Sequence, residues 1–96
     1  MELFIFARLH AFEGKATEVA AAMREVMAPT REESGCLAIG NFRSTRDPLL
    51  FYIHSRWADE AAFERHATLP HTVRFLEQVR PLLDHAFEVT RTEQIA

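Results

Sequence analysis

The strongest constraint on this chain is the order in which its hydrophobic repeat changes along 96 residues: period two, then 3.6, then two in two successive runs, then 3.6, then two. Side chains alternate across a strand and stack at three and four along a helix, so an order of periods is an order of elements. Leu3, Ile5, Ala7 and Leu9 alternate with Phe4, Phe6, Arg8 and His10, which predicts a strand that is apolar on both sides over its first half. Glu13-Gly14 marks a turn. From Lys15 to about Glu33, the residues Val19, Ala22, Met23, Val26, Met27 and Thr30 recur at helical spacing and predict one core-facing stripe. Pro29 is expected to end or kink the regular helix near Ala28, with a looser turn on to Glu33. Its ring lacks an N–H and crowds the preceding turn. Gly35 then reverses the chain.

Cys36 to Ser44 and Leu50 to Trp57 predict the second and third strands, joined by the turn-forming Thr45-Arg46-Asp47-Pro48. In the third strand Phe51, Ile53, Ser55 and Trp57 make the more apolar face, assigned to the helix side. Asp59 predicts the N-cap of a short helix from Glu60 to about Ala67. Thr68-Leu69-Pro70 interrupts it, and Pro70 suits the first turn of a further helix with Val73, Leu76, Val79 and Leu83 facing inward. Phe87 to Glu93 predicts a final strand. The order βαββαβ is that of the ferredoxin-like α+β fold, a four-stranded antiparallel sheet with helices on one face. The length allows one domain, residues 1–96, and no separate nucleotide-binding unit.

Composition removes several function classes. Eleven basic against 14 acidic side chains leave a net charge of −3, which favours neither nucleic acid nor an anionic membrane surface. The lone Cys36 excludes an internal disulfide and any multi-thiolate metal site, and suggests a reducing, cytoplasmic setting. The apolar run Leu3 to Ala7 is too short for a signal core or a membrane span. Two helical layers cover one face of a four-stranded sheet; the other would show Phe4, Phe6 and Tyr52. An apolar face of that kind predicts a homodimer packed sheet to sheet. Arg8, His10, His54 and Arg56 on the same face are the argument for a monomer.

Three stretches carry a family resemblance: ARLHAFEGK at the first strand and turn, EESGCLAIGNFRSTRDP at the hairpin, and SRWADEAAFERHATLPH from the third strand into the following helix. Together they resemble the antibiotic biosynthesis monooxygenase family across essentially the whole chain. Trp57, Ala62, His66 and Pro70-His71 are the most specific part, supported by Gly35-Cys36. The resemblance implies a dimeric α+β barrel. It also implies, for several members, oxidation of phenolic polyketides or quinols by O₂ without a cofactor. Haem-degrading members carry Asn where this chain has Ala7 and an iron-ligand His where it has Leu76, so the resemblance points away from haem. The family's frequent Glu two residues before the Trp is Ser55 here.

Oxidation of that kind needs few parts. Triplet O₂ reacts slowly with singlet organic molecules unless the substrate is ionised and gives up an electron. A site therefore needs a proton acceptor, a flat apolar pocket and shelter from bulk water. With the resemblance, His66 and His71 are the candidate catalytic residues, since an imidazole ordinarily titrates near the pH where a general base works best. Trp57, Phe63 and Asn41 are the candidate substrate-binding residues. The plainer alternatives are a helix-capping His66, a surface or dimer-contact His71, a core Trp57 and a polar sheet residue Asn41. No metal site is expected: His66 and His71 are five apart across a proline, unlike the i, i+4 pair of a zinc helix, and no carboxylate completes a pattern with them. A Cys36 nucleophile is disfavoured, because a cysteine at a strand start is usually buried and inert. The expectation is therefore a cofactor-free monooxygenase acting on a small aromatic with O₂. Two rivals stand beside it: an isomerase of small carbonyl compounds using the same histidines, and a non-catalytic dimeric ligand-binding or stress-response module.

Overall fold

Strand β1 (Leu3–His10) is the spine of the molecule, antiparallel to β3 (Leu50–Trp57) on one side and to β4 (Glu88–Thr92) on the other. β2 (Cys36–Arg43) pairs outside β3, giving the sheet order β2-β3-β1-β4. The register places Leu3 opposite Trp57, Ile5 opposite Ser55, Ala7 opposite Ile53 and Leu9 opposite Phe51. All eight are buried, so the period-two pattern of both strands selects the same face, as strand geometry requires. This computed structural model describes residues 1–96.

Helices α1 (Ala16–Arg31), α2 (Glu60–Thr68) and α3 (Pro70–Val79) cover that face, and a 3-10 turn, Arg80–Leu82, leads toward β4. The α1 stripe is buried as its spacing predicts, from Val19 through Thr30. Asp59 caps α2, its Oδ1 accepting the N–H of Ala62 at 2.8 Å. The fold is the expected ferredoxin-like one. No helix is long and apolar enough to cross a membrane.

Two local expectations are corrected. Regular helix does not stop near Ala28: α1 runs through Pro29 to Arg31. A proline inside a helix removes its bond to the carbonyl four residues back. Here that residue is the exposed Glu25, while Thr30 on the opposite side is fully buried, so core packing carries the helix past the lost bond. In α3 the buried residues are Thr72, Phe75 and Val79, and Val73 is exposed. The large ring of Phe75 takes the inward position, which rotates Val73 out to solvent.

One glycine decides how the layers meet. A Cβ on Gly35 would lie 2.3 Å from the Cβ of Ala62, so the α1–β2 turn can touch α2 only because neither residue carries more. The Gly35 carbonyl also accepts the N–H of Ala58 at 2.9 Å. This close approach brings the end of α1 beside α2 and α3.

Candidate active site

Three side chains meet at that junction. Glu33 follows α1, His66 lies on α2 and His71 on the first turn of α3. One oxygen of Glu33, Oε2, lies 2.7 Å from His66 Nδ1 and 2.7 Å from His71 Nε2. Both separations are short, as expected of hydrogen bonds to a carboxylate. The side chains are 11%, 14% and 18% exposed for Glu33, His66 and His71. A carboxylate only accepts, so the facing nitrogens carry the protons: Nδ1–H on His66 and Nε2–H on His71. Thr72 Oγ1, 3.2 Å from His66 Nδ1, shares that proton as a second, longer acceptor. In the neutral ring this network selects the Nδ1–H tautomer of His66, which leaves Nε2 with a lone pair.

Behind His66 stands Trp57, fully buried, with ring centroids 4.6 Å apart and the planes tilted by 37°. The indole N–H donates to Ser55 Oγ at 2.9 Å, which fixes its rotamer. Phe63, one turn before His66, lies 5.7 Å from the indole. His66 is thus held on its Nδ1 edge by a carboxylate and on its face by a locked aromatic wall.

A cavity of about 300 Å³ opens between the sheet and the helices. His66, Phe63, Thr30, Ser55 and Thr72 line it together with aliphatic and aromatic side chains, and the exposed Arg80 and Val89 lie at its edge. Thr30 Oγ1 is buried with no hydrogen-bond partner, which is costly. Ala7 and Leu76 both line the cavity and offer it only aliphatic carbon.

The residues singled out from the sequence divide accordingly. His66 and Phe63 face the cavity. His71 lies outside it, its Nε2 on the same Glu33 oxygen as His66 and its ring centroid 6.0 Å from that of His66. Trp57 backs His66 and does not line the space, because the His66 and Phe63 rings lie against it. Asn41 lies elsewhere: its Nδ2 donates to the carbonyl of Met23 at 2.9 Å and ties β2 to α1, in a separate hollow beside Phe42 and Phe51. Glu33 went unnoticed in the sequence because it stands 33 residues before His66. It overturns the argument that no carboxylate completes a pattern with the two histidines, since the three donors lie within 4.8 Å of one another. The Cys36 thiol is pushed up from its usual range by burial first and by the Glu33 carboxylate second, which keeps it protonated and a poor nucleophile.

The chain is similar to several solved structures. PA3566 from Pseudomonas aeruginosa is 32% identical, with a TM-score of 0.91 over 99% of this chain and 95% of that one. SO0527 from Shewanella oneidensis is 27% identical, with a TM-score of 0.90 over 97% and 90% of the two chains. Rv0793 from Mycobacterium tuberculosis is 22% identical and shares the fold, with a TM-score of 0.94 over 100% and 97%. The sequence profile described as antibiotic biosynthesis monooxygenase matches residues 3–78, a span that takes in β1, the hairpin, Glu33, Trp57 and both histidines. On that match, and with a βαββαβ architecture shared with these structures, the chain belongs to the antibiotic biosynthesis monooxygenase family.

Proposed function

We propose that this protein is a cofactor-independent monooxygenase that oxidises a small, electron-rich aromatic, a quinol or a polyketide phenol, with O₂. The observation that carries the reading is the Glu33–His66 pair at 2.7 Å beside the cavity. Glu33 holds the proton on Nδ1 and leaves Nε2 as the free base on a side chain that lines the cavity. A carboxylate placed in this way also stabilises the imidazolium that forms when the base takes a proton. His71 donates to the same carboxylate oxygen and holds it in place.

The chemistry follows from that arrangement. His66 removes a proton from the bound phenol or enol, and the anion gives one electron to O₂. The two radicals recombine at a ring carbon. One oxygen atom stays on the substrate and the other leaves as water, with all the electrons supplied by the substrate. A benzene ring occupies an apolar cavity of about 150 Å³, so about 300 Å³ suits a molecule of one or two rings. Phe63 and Phe75 supply flat apolar walls.

The active form in this reading is a homodimer through the open face of the sheet. Phe6 and Phe42 are exposed there, with the His54 ring between them at centroid distances of 4.4 and 5.2 Å. The single free cysteine supports a reducing, cytoplasmic setting.

The test is O₂ uptake with a panel of quinols and anthrones, without flavin, haem or added metal. His66→Ala is expected to lower the rate by about 10²- to 10⁴-fold, the usual contribution of a general base, with the circular dichroism spectrum unchanged. Equal rates in the wild type and His66→Ala would overturn the assignment. Solvent deuterium entering next to a carbonyl, without O₂ uptake, would replace it with the isomerase.

A further inference from the structure

We propose that Glu33, His66 and His71 form a site for a divalent transition metal of the zinc class, and that filling it switches off the base at the cavity wall. The second half rests on the function proposed above; the first does not.

Two imidazole nitrogens and one carboxylate oxygen are a donor set that suits zinc and its neighbours and discriminates against calcium and magnesium, which prefer oxygen alone. The three donors come from three different parts of the chain and lie within 4.8 Å of one another, with Thr72 Oγ1 3.2 Å from His66 Nδ1. Ligands at about 2.0–2.1 Å in a tetrahedral site stand roughly 3.3 Å apart. The present spacing of 2.7 Å on each side of Glu33 Oε2, with the two imidazole centroids 6.0 Å apart, therefore needs the carboxylate to withdraw by about half an ångström and the His71 ring to close on the ion. Glu33 lies in a turn, where such a shift is cheap, while the His66 ring is kept in place by Trp57.

The consequence follows from proton positions. The metal takes the lone pair of His66 Nδ1, so the proton now on Nδ1 moves through solvent to Nε2. His71 likewise exchanges Nε2–H for Nδ1–H. No proton is gained or lost by either ring, yet His66 Nε2 changes from a free base into an N–H. An imidazole in that state cannot accept the substrate's proton.

The experiment titrates the purified, metal-free protein with Co²⁺ and reads its visible d–d absorption. The expected result is one tight equivalent with the intensity of a four- or five-coordinate ion. Glu33→Gln, which keeps the side chain's size, and His71→Ala should each weaken binding by at least about a hundredfold. That is beyond the roughly 10- to 100-fold lost when only a ligand's hydrogen-bond partner is removed. His85→Ala breaks the separate grouping of His10, Asp84 and His85 and should leave the bands unchanged. Absence of bands in excess metal, or bands that persist in Glu33→Gln and His71→Ala, would overturn the site. In the second arm, Zn²⁺ should suppress quinol-dependent O₂ uptake in proportion to occupancy, and chelation should restore it. Uptake that is unaffected or accelerated by bound metal would overturn the switch. A protein with no uptake at any metal level would defeat the proposed oxygenation, while the Co²⁺ bands still decide the site.

Discussion

Gly35 shows how much of the site depends on a single missing methyl group. Its place in a chain reversal is legible in the sequence; its contact with Ala62 is not, because the two are 27 positions apart. A Cβ 2.3 Å from that of Ala62 cannot be accommodated by a side-chain rotation, so turn and helix must separate. Gly35→Ala is expected to destabilise the protein by about 1–3 kcal/mol, the usual cost of overpacking, and to move Glu33 away from His66. Urea denaturation of Gly35→Ala, Ala62→Gly and the double variant tests this. The double variant should be more stable than the sum of the single effects predicts, and additive costs would show that the contact does not matter. At the same scale, the histidines stood out by type and family resemblance, whereas Glu33 is one of 14 acidic residues and only its neighbours distinguish it.

Among the elements, the end of the sheet remote from Glu33 is held by another histidine. His10, the last residue of β1, places Nδ1 2.8 Å from Asp84 and Nε2 3.0 Å from Asp47. Only the imidazolium donates from both nitrogens, so the bonds to Asp84 and then Asp47 raise the His10 pKa above its ordinary value. Asp47 is lowered, first by the N–H of Leu49 and then by His10. Partial burial pushes Asp84 up, but bonds from His85 and His10 outweigh it and the net shift is downward. The stabilisation from His10 is complete below the unfolded value of about 6.5 and is lost as pH rises through the raised folded value. That from the carboxylates is complete above about 3.9 and is lost as pH falls through the lowered folded values. Thermal melts should therefore show the largest gap between the wild type and His10→Ala at about pH 4–6.5, narrowing on either side; a gap independent of pH would overturn this account. The clamp joins β1, the β2–β3 turn and the segment before β4, which is why no stretch of sequence reveals it. Element types and most boundaries, by contrast, follow from period alone. The departures, α1 passing Pro29 and the rotated α3, arise where a buried Thr30 and a bulky Phe75 prevail over local preference.

For the whole molecule, the question is what covers the second face of the sheet. Phe6 and Phe42 stand exposed on it, with Phe4 and Tyr52 half-buried beside them. Two such faces packed about 10 Å apart would bury these rings in one interface. In the proposed sheet-face dimer Phe6→Glu places a charge at the centre of that interface, so by sedimentation velocity the wild type is expected to run as a dimer and Phe6→Glu as a monomer at the same concentration. An identical sedimentation coefficient for the two proteins would remove the sheet-face dimer. The sequence by itself determined the order of elements, the faces of β1 and β3 that meet the helices, the cap at Asp59 and the family, because these depend on residues close together in the chain or on local motifs. Only the tertiary structure decided that Glu33 bridges two histidines, that Trp57 backs the site instead of lining it, and that Asn41 ties β2 to α1 away from the cavity. Those outcomes turn on distances of a few ångströms between residues far apart in the chain, and such distances exist only once the layers have packed.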